Sequence, residues 1–191
     1  MITVVTGLPR SGTSMMMQML AAGGCPVLTD GVRAADSNNP QGYFEYEPVK
    51  RLPVDGSWLP LAQGKAIKVV AALVPYLPLA SPDGAPYAYR AIFLRRDWQE
   101  VSDSQMRMLR NLGREPLPQP SPRLERGMEQ DLARARSWLR QHGVPVLEVD
   151  YRQTLAAPGE TAARLATLFP AFQQEAAARA VLAGSRGYTA G

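Results

Sequence analysis

The chain has 191 residues, which suits a single domain spanning 1–191 with one sizeable core. Apolar residues make up 46% and charged residues 20%, a globular composition that excludes a disordered chain. The net charge of +4 suits an anionic ligand, but the arginines are scattered and no basic block is interleaved with aromatics, so nucleic acid is not an expected partner.

Residues 2–6 are β-rich and nearly all apolar, as in a strand buried on both faces. Residues 7–12, "GLPRSG", form a loop, and 13–22 contain neither Gly nor Pro and read as a helix that Gly23, Gly24 and Pro26 end. Met15, Met16, Met17 and Met19 are most simply the core and cover of that helix. Cys25, the single cysteine, excludes an internal disulfide and reads as a structural thiol. The turn-rich stretch "DSNNPQGYFEYEPVK" carries embedded aromatics and suggests an ordered loop over the top of a sheet.

A short strand is expected at 65–70, a Pro-rich connection after it, and a buried strand at 91–95. The helix that follows has Asp97 near its N-cap and Gly113 as its stop. The segment "REPLPQPSP" reads as a loop. A long helix over about 123–142 places Met128, Leu132, Ala135 and Leu139 on one stripe. A strand over 144–150, a helix opened by Pro158 and a last helix over about 171–183 complete the chain. No apolar run approaches the ~20 residues of a membrane span. With no signal peptide apparent at the N-terminus, the expected setting is soluble and cytoplasmic.

Strands that read as apolar runs and alternate with helices predict an α/β fold, a three-layer αβα arrangement around a central parallel sheet of about 4–5 strands. In such sheets ligands sit at the carboxyl ends of the strands, which directs attention to the loop 7–14 and to the segments after Lys68 and Leu94.

Gly7 and Gly12 have the spacing of the G-x-x-x-x-G-K-[ST] phosphate loop, but Thr13 stands where the lysine belongs. The backbone device is intact: Gly12 permits close approach of an anion, the amides of Ser11 to Ser14 open a helix, and the hydroxyls of Ser11, Thr13 and Ser14 add donors. The cation has moved forward to Arg10, whose guanidinium recognises an oxyanion in two-toothed fashion. "VLEVD", ending at Asp150, is the nearest approach to a Walker-B run, and it lies late in the chain. Arg96 sits at a strand end with Ser104 eight residues on, two helical turns away, where the two residues can share an anion.

Together, "GLPRSGTSMM" and "IFLRRDWQEVSDSQM" resemble the sulfotransferases that use 3′-phosphoadenosine 5′-phosphosulfate (PAPS). The likeness extends to "NNPQGYFEYE" and to "VPVLEVDYRQTLAAPGETAARLATLF". The resemblance implies a P-loop NTPase-like fold. It also implies that Pro9, Arg10, Ser11, Gly12, Thr13 and Ser14 cradle the 5′-phosphosulfate, while Arg96 and Ser104 bind the 3′-phosphate. The implied reaction is in-line transfer of a sulfuryl group from PAPS to a hydroxyl or amine, leaving 3′,5′-ADP and requiring no metal. The acceptor is a small molecule, a sugar or a peptide. Oligomeric state is left open, a homo-oligomer among the options.

For the general base, the resemblance points to a glutamate in the segment after the first helix, with Glu45 first and Glu47 second. The aromatics flanking Glu45 are expected to dry the carboxylate and raise its pKa. The lone histidine, His142, reads instead as a helix C-cap. Arg10 is assigned to the leaving phosphate oxygen and Lys68 to the transferring sulfuryl group. Tyr43 and Phe44 either line the acceptor pocket or pack the loop. Trp98 is a candidate for adenine stacking, and Arg186 with Gly187 loosely matches a late R-x-G element. Two other readings stand beside this one: a P-loop nucleotide kinase-like enzyme, and a non-catalytic protein that binds a 3′-phosphoadenosine nucleotide.

Overall fold

The computed structural model describes residues 1–36, 39, 42–111, 113 and 122–185. The loop expected after Gly113 and the Arg186–Gly187 pair lie outside the described residues, as do Ser37, Asn38, Pro40 and Gln41 of the turn-rich stretch.

Strand β1 (Ile2–Thr6) is buried along its whole length and forms the middle of the sheet. It pairs in parallel with β2 (Ala66–Lys68) on one side and with β3 (Tyr89–Arg95) on the other, and β4 (Val146–Asp150) lies parallel to β3. The sheet therefore has four strands in the order β2-β1-β3-β4, all parallel. β1 and β3 are apolar on both faces because both faces are covered. Ile2, Val4, Ala91 and Phe93 point into one core, with Trp138 and Leu139 of the long helix α3 (Pro122–Gln141) and three short 3-10 turns, Glu47–Arg51, Leu59–Ala62 and Ala71–Tyr76. Val5, Ile92, Leu94 and Val149 point into the other. There they meet α1 (Thr13–Ala22), α5 (Pro158–Ala166) and α6 (Gln174–Ser185). Met16, Met17 and Met19 are fully buried in that second core.

Two more helices border the carboxyl ends of the strands. α2 (Trp98–Asn111) follows β3, and the Asp97 carboxylate accepts the Glu100 N–H at its start (3.3 Å). α4 (Tyr151–Ala156) follows β4 directly and was not foreseen in the sequence. Asp150, which ends the apolar run "VLEVD", caps α4 by accepting the Gln153 N–H at 3.0 Å. His142 closes α3: its Nδ1 lies 2.8 Å from the Trp138 carbonyl, and its ring packs on Trp138 with centroids 4.4 Å apart. Cys25 is buried beside α1, and burial pushes its thiol pKa up. Among the described residues no helix is long and apolar enough to cross a membrane.

Candidate functional site

The loop between β1 and α1 crosses the carboxyl edge of the sheet. Gly12 is the residue before α1 and has φ 100°, a left-handed conformation that excludes most side chains. A Cβ there would also lie 2.5 Å from Cδ2 of Tyr151, so the ring of that tyrosine packs against the glycine itself. The first intrahelical bond runs from Met16 N–H to the Gly12 carbonyl (3.0 Å). The N–H groups of Gly12, Thr13, Ser14 and Met15 have no acceptor among the described residues. They are the open donors of a helix start, where the aligned peptide dipoles favour negative charge.

Ser11 departs from the expected role. Its N–H donates to the Leu8 carbonyl (3.1 Å), and its hydroxyl is buried without a partner, against Gly7. The turn that sets up the loop thus consumes the Ser11 amide and turns its side chain inward. Arg10 adopts φ 70°, and Phe44, between the cleft-lining Tyr43 and Glu45, has φ 52°. Left-handed geometry at a non-glycine residue costs about 1–3 kcal/mol, and here both instances fall beside the same cleft.

The cation missing after Gly12 is supplied from the neighbouring strand. Lys68, at the end of β2, donates from Nζ to Ser14 Oγ at 3.1 Å, to the Tyr43 carbonyl at 2.9 Å and to Glu45 Oε1 at 3.3 Å. Its side chain is only 9% exposed. Burial lowers its pKa, and the Glu45 carboxylate partly offsets that. Ser14 Oγ itself donates to the Tyr43 carbonyl (3.2 Å), so its hydroxyl ties α1 to the covering segment.

Glu45 Oε1 is shared by two cations, since Arg33 Nη1 also donates to it at 3.0 Å. The expected apolar wall is therefore absent: Glu45 meets charge rather than a dry aromatic pocket. The Arg33 guanidinium lies 3.4 Å from the centroid of Tyr43, which holds it flat. The Tyr43 hydroxyl donates to both oxygens of Asp36 (2.8 and 2.9 Å), and burial followed by this bond raises its pKa. Tyr43 thus lines the site, whereas Phe44 packs into the core beside α1. Glu47 pairs with Lys50 at 2.5 Å on the surface and does not line the cleft.

At the far end, Arg96 and Ser104 meet different atoms of Arg10. Arg96 donates from Nη1 to the Arg10 carbonyl (2.8 Å) and from Nε to Glu100 Oε2 (3.1 Å), and its guanidinium lies 4.0 Å from the Tyr151 ring centroid. Ser104 is buried and accepts from Arg10 Nε at 3.1 Å. Ser104 therefore orients Arg10 rather than joining Arg96. Both residues lie beside the loop, but the guanidinium that reaches the serine belongs to the loop.

These groups converge on a cleft of about 290 Å³. Pro9, Arg10, Gly12, Thr13 and Ser14 form one wall, and Glu45, Lys68 and Arg96 also line it. Ser11, Ser104, Trp98 and His142 do not. Sequence reasoning missed Tyr151, Arg33 and the polar pair Gln18 and Asn39, all of which line the cleft. Four cations (Arg10, Arg33, Lys68 and Arg96) face one lining carboxylate, Glu45, so the field in the cleft favours an anion. Neither a family model nor a curated protein matches this chain. The functional reading therefore rests on the site's chemistry and on the motifs it contains.

Proposed function

We propose that this chain is a sulfotransferase that binds PAPS in the cleft, across a P-loop-type strand–loop–helix unit, and transfers the sulfuryl group to a hydroxyl or amine acceptor. One observation carries the reading. The unpaired amides of Gly12 to Met15, the guanidinium of Arg10, the ammonium of Lys68 and the carboxylate of Glu45 all converge on one cleft at the carboxyl edge of the sheet.

Each group then has a task. The amides and Arg10 hold the phosphate that becomes the leaving group, and they stabilise the charge it gains as its bridging bond to sulfur breaks. Lys68 faces the sulfuryl oxygens. Glu45 accepts the proton from the acceptor as the new bond to sulfur forms, through Oε2, which has no hydrogen bond among the described residues. Arg96 follows β3 and Lys68 ends β2, the strands on either side of β1, and Arg96 meets the 3′-phosphate. Catalysis of this kind is mostly positioning and charge stabilisation, as in phosphoryl transfer.

The test is transfer of label from radiolabelled PAPS into a pool of sugars, tyrosyl peptides, phenols and amines. Labelled product is expected with the wild-type chain, and Arg10→Ala should lower its rate by about 100-fold or more. Binding of 3′,5′-ADP without transfer to any acceptor would mark a non-catalytic nucleotide-binding protein. Phosphoryl transfer from ATP–Mg would mark a kinase-like enzyme instead.

A further inference from the structure

Arg96 is a guanidinium with one of its two-toothed edges half spent. A bidentate grip on an oxyanion uses either Nε with Nη2 or the two Nη atoms together. Glu100 Oε2 takes Nε, and the Arg10 carbonyl takes Nη1. While the Glu100 bond stands, the Nε–Nη2 edge cannot grip an oxyanion with both teeth. The Arg10 carbonyl belongs to the backbone of the loop and has little freedom to leave. Glu100 is a side chain in the first turn of α2, and it already has somewhere else to go: its other oxygen, Oε1, accepts from Arg152 Nε.

Within the fold, Arg152 ties α4 to α2 through Glu100. Its side chain is 73% exposed, and it sits in the first turn of α4, where the helix dipole disfavours a cation. It is the residue after Tyr151, whose ring lines the cleft and covers Arg96. The carboxylate of Glu100 thus lies between one arginine that faces the cleft and one that faces solvent.

We propose that Glu100 and Arg152 belong to the nucleotide site, with Glu100 the internal rival of the ligand's 3′-phosphate for Arg96. The inference rests on the reading above that a 3′-phosphate meets Arg96. When the phosphate arrives, Glu100 releases Nε and keeps Arg152, so the Nε–Nη2 edge of Arg96 opens to two phosphate oxygens. Arg152 then neutralises a carboxylate that would otherwise repel the phosphate. The two residues together set how strongly the site distinguishes a nucleotide with a 3′-phosphate from one without.

The charges give opposite signs for the two variants. Glu100→Gln removes the competing negative charge and weakens the hold on Nε. Arg152→Gln leaves Glu100 with Arg96 as its one partner and leaves its charge uncompensated. Calorimetry of the full chain with 3′,5′-ADP and with 5′-ADP reads both effects. Glu100→Gln should tighten 3′,5′-ADP by about threefold or more and Arg152→Gln should weaken it by about threefold or more, while 5′-ADP changes by less than about twofold in either. Weaker 3′,5′-ADP binding in Glu100→Gln would make Glu100 a brace for Arg96 and overturn the proposal. So would equal shifts for both nucleotides, or no shift, since a mere tie between α2 and α4 would alter the thermal midpoint without altering the preference. Failure of the underlying reading has a different signature: the wild-type chain would then bind both nucleotides alike.

Discussion

Lys68 Nζ stands 3.1 Å from Ser14 Oγ, so a cation from the second strand lies over the first turn of the helix that the glycine loop opens. The loop's own sequence offers Thr13 at the position where a nucleotide triphosphatase carries lysine. The site recovers a positive charge by another route, and that charge is paired with Glu45 and largely out of water. A buried cation shared between a hydroxyl, a carbonyl and a carboxylate is oriented before any ligand arrives, which is the condition for strong electrostatic stabilisation.

The burial of Lys68 fixes a pH dependence. Its folded pKa lies below the ordinary value of 10.5, with burial the largest cause. Between the folded and unfolded values the unfolded chain holds a proton that the folded chain has lost, so stability rises with pH there. Below that window Lys68 is charged in both states and its burial cost is fully present. Denaturant unfolding at stepped pH should show wild type gaining stability relative to Lys68→Met through the alkaline window that ends near 10.5. A difference that stays flat or falls with pH would contradict this.

Glu45 is the carboxylate that lines the cleft, and Glu47 is not. Glu45→Gln should therefore lower sulfuryl transfer by about 100-fold or more. Binding of 3′,5′-ADP should stay within about twofold, because the role proposed for Glu45 is toward the acceptor and not the nucleotide. Glu47→Gln should leave transfer near the wild-type rate. Steady-state transfer together with calorimetry checks both, and the opposite ranking of the two glutamates would transfer the base assignment.

Gly12→Ala faces two penalties, the left-handed backbone and a Cβ placed 2.5 Å from the Tyr151 ring. The substitution should cost about 1–3 kcal/mol of stability, measured by denaturant unfolding. In a Tyr151→Ala background the steric share disappears, so the added cost of Gly12→Ala should shrink. Costs that simply add would show that the ring and the glycine are not in contact.

The parts of this fold that were legible in the sequence are those with strong local signals. β1 and α1 fall where the apolar run and the following Gly/Pro-free segment put them, and Gly113, Pro158 and Asp97 mark helix ends as expected. The helix α4 was not legible: six residues carry too little periodicity to announce themselves, and the apolar run ending at Asp150 was weighed only as a distant Walker-B likeness, not as the approach to a cap. The 3-10 turns escaped for the same reason. In the site, the spacing of Arg96 and Ser104 was visible, whereas the i,i+4 pairing with Glu100 that holds the arginine went unread. The contact of Tyr151 with Gly12 was not, because it depends on β4 lying beside β3 and delivering α4 to the loop. Arg33 carried no signal in the sequence; its place is set by Tyr43 beneath it and by Glu45 beside it.

Calorimetry of the wild-type chain with 3′,5′-ADP and with 5′-ADP tests the central claim most directly. The cleft should prefer the 3′-phosphorylated nucleotide by more than about tenfold, or ~1.4 kcal/mol, and Arg96→Ala should abolish the preference. Equal affinity for the two nucleotides in the wild-type chain would contradict a 3′-phosphate site at Arg96, and with it the assignment of PAPS as donor.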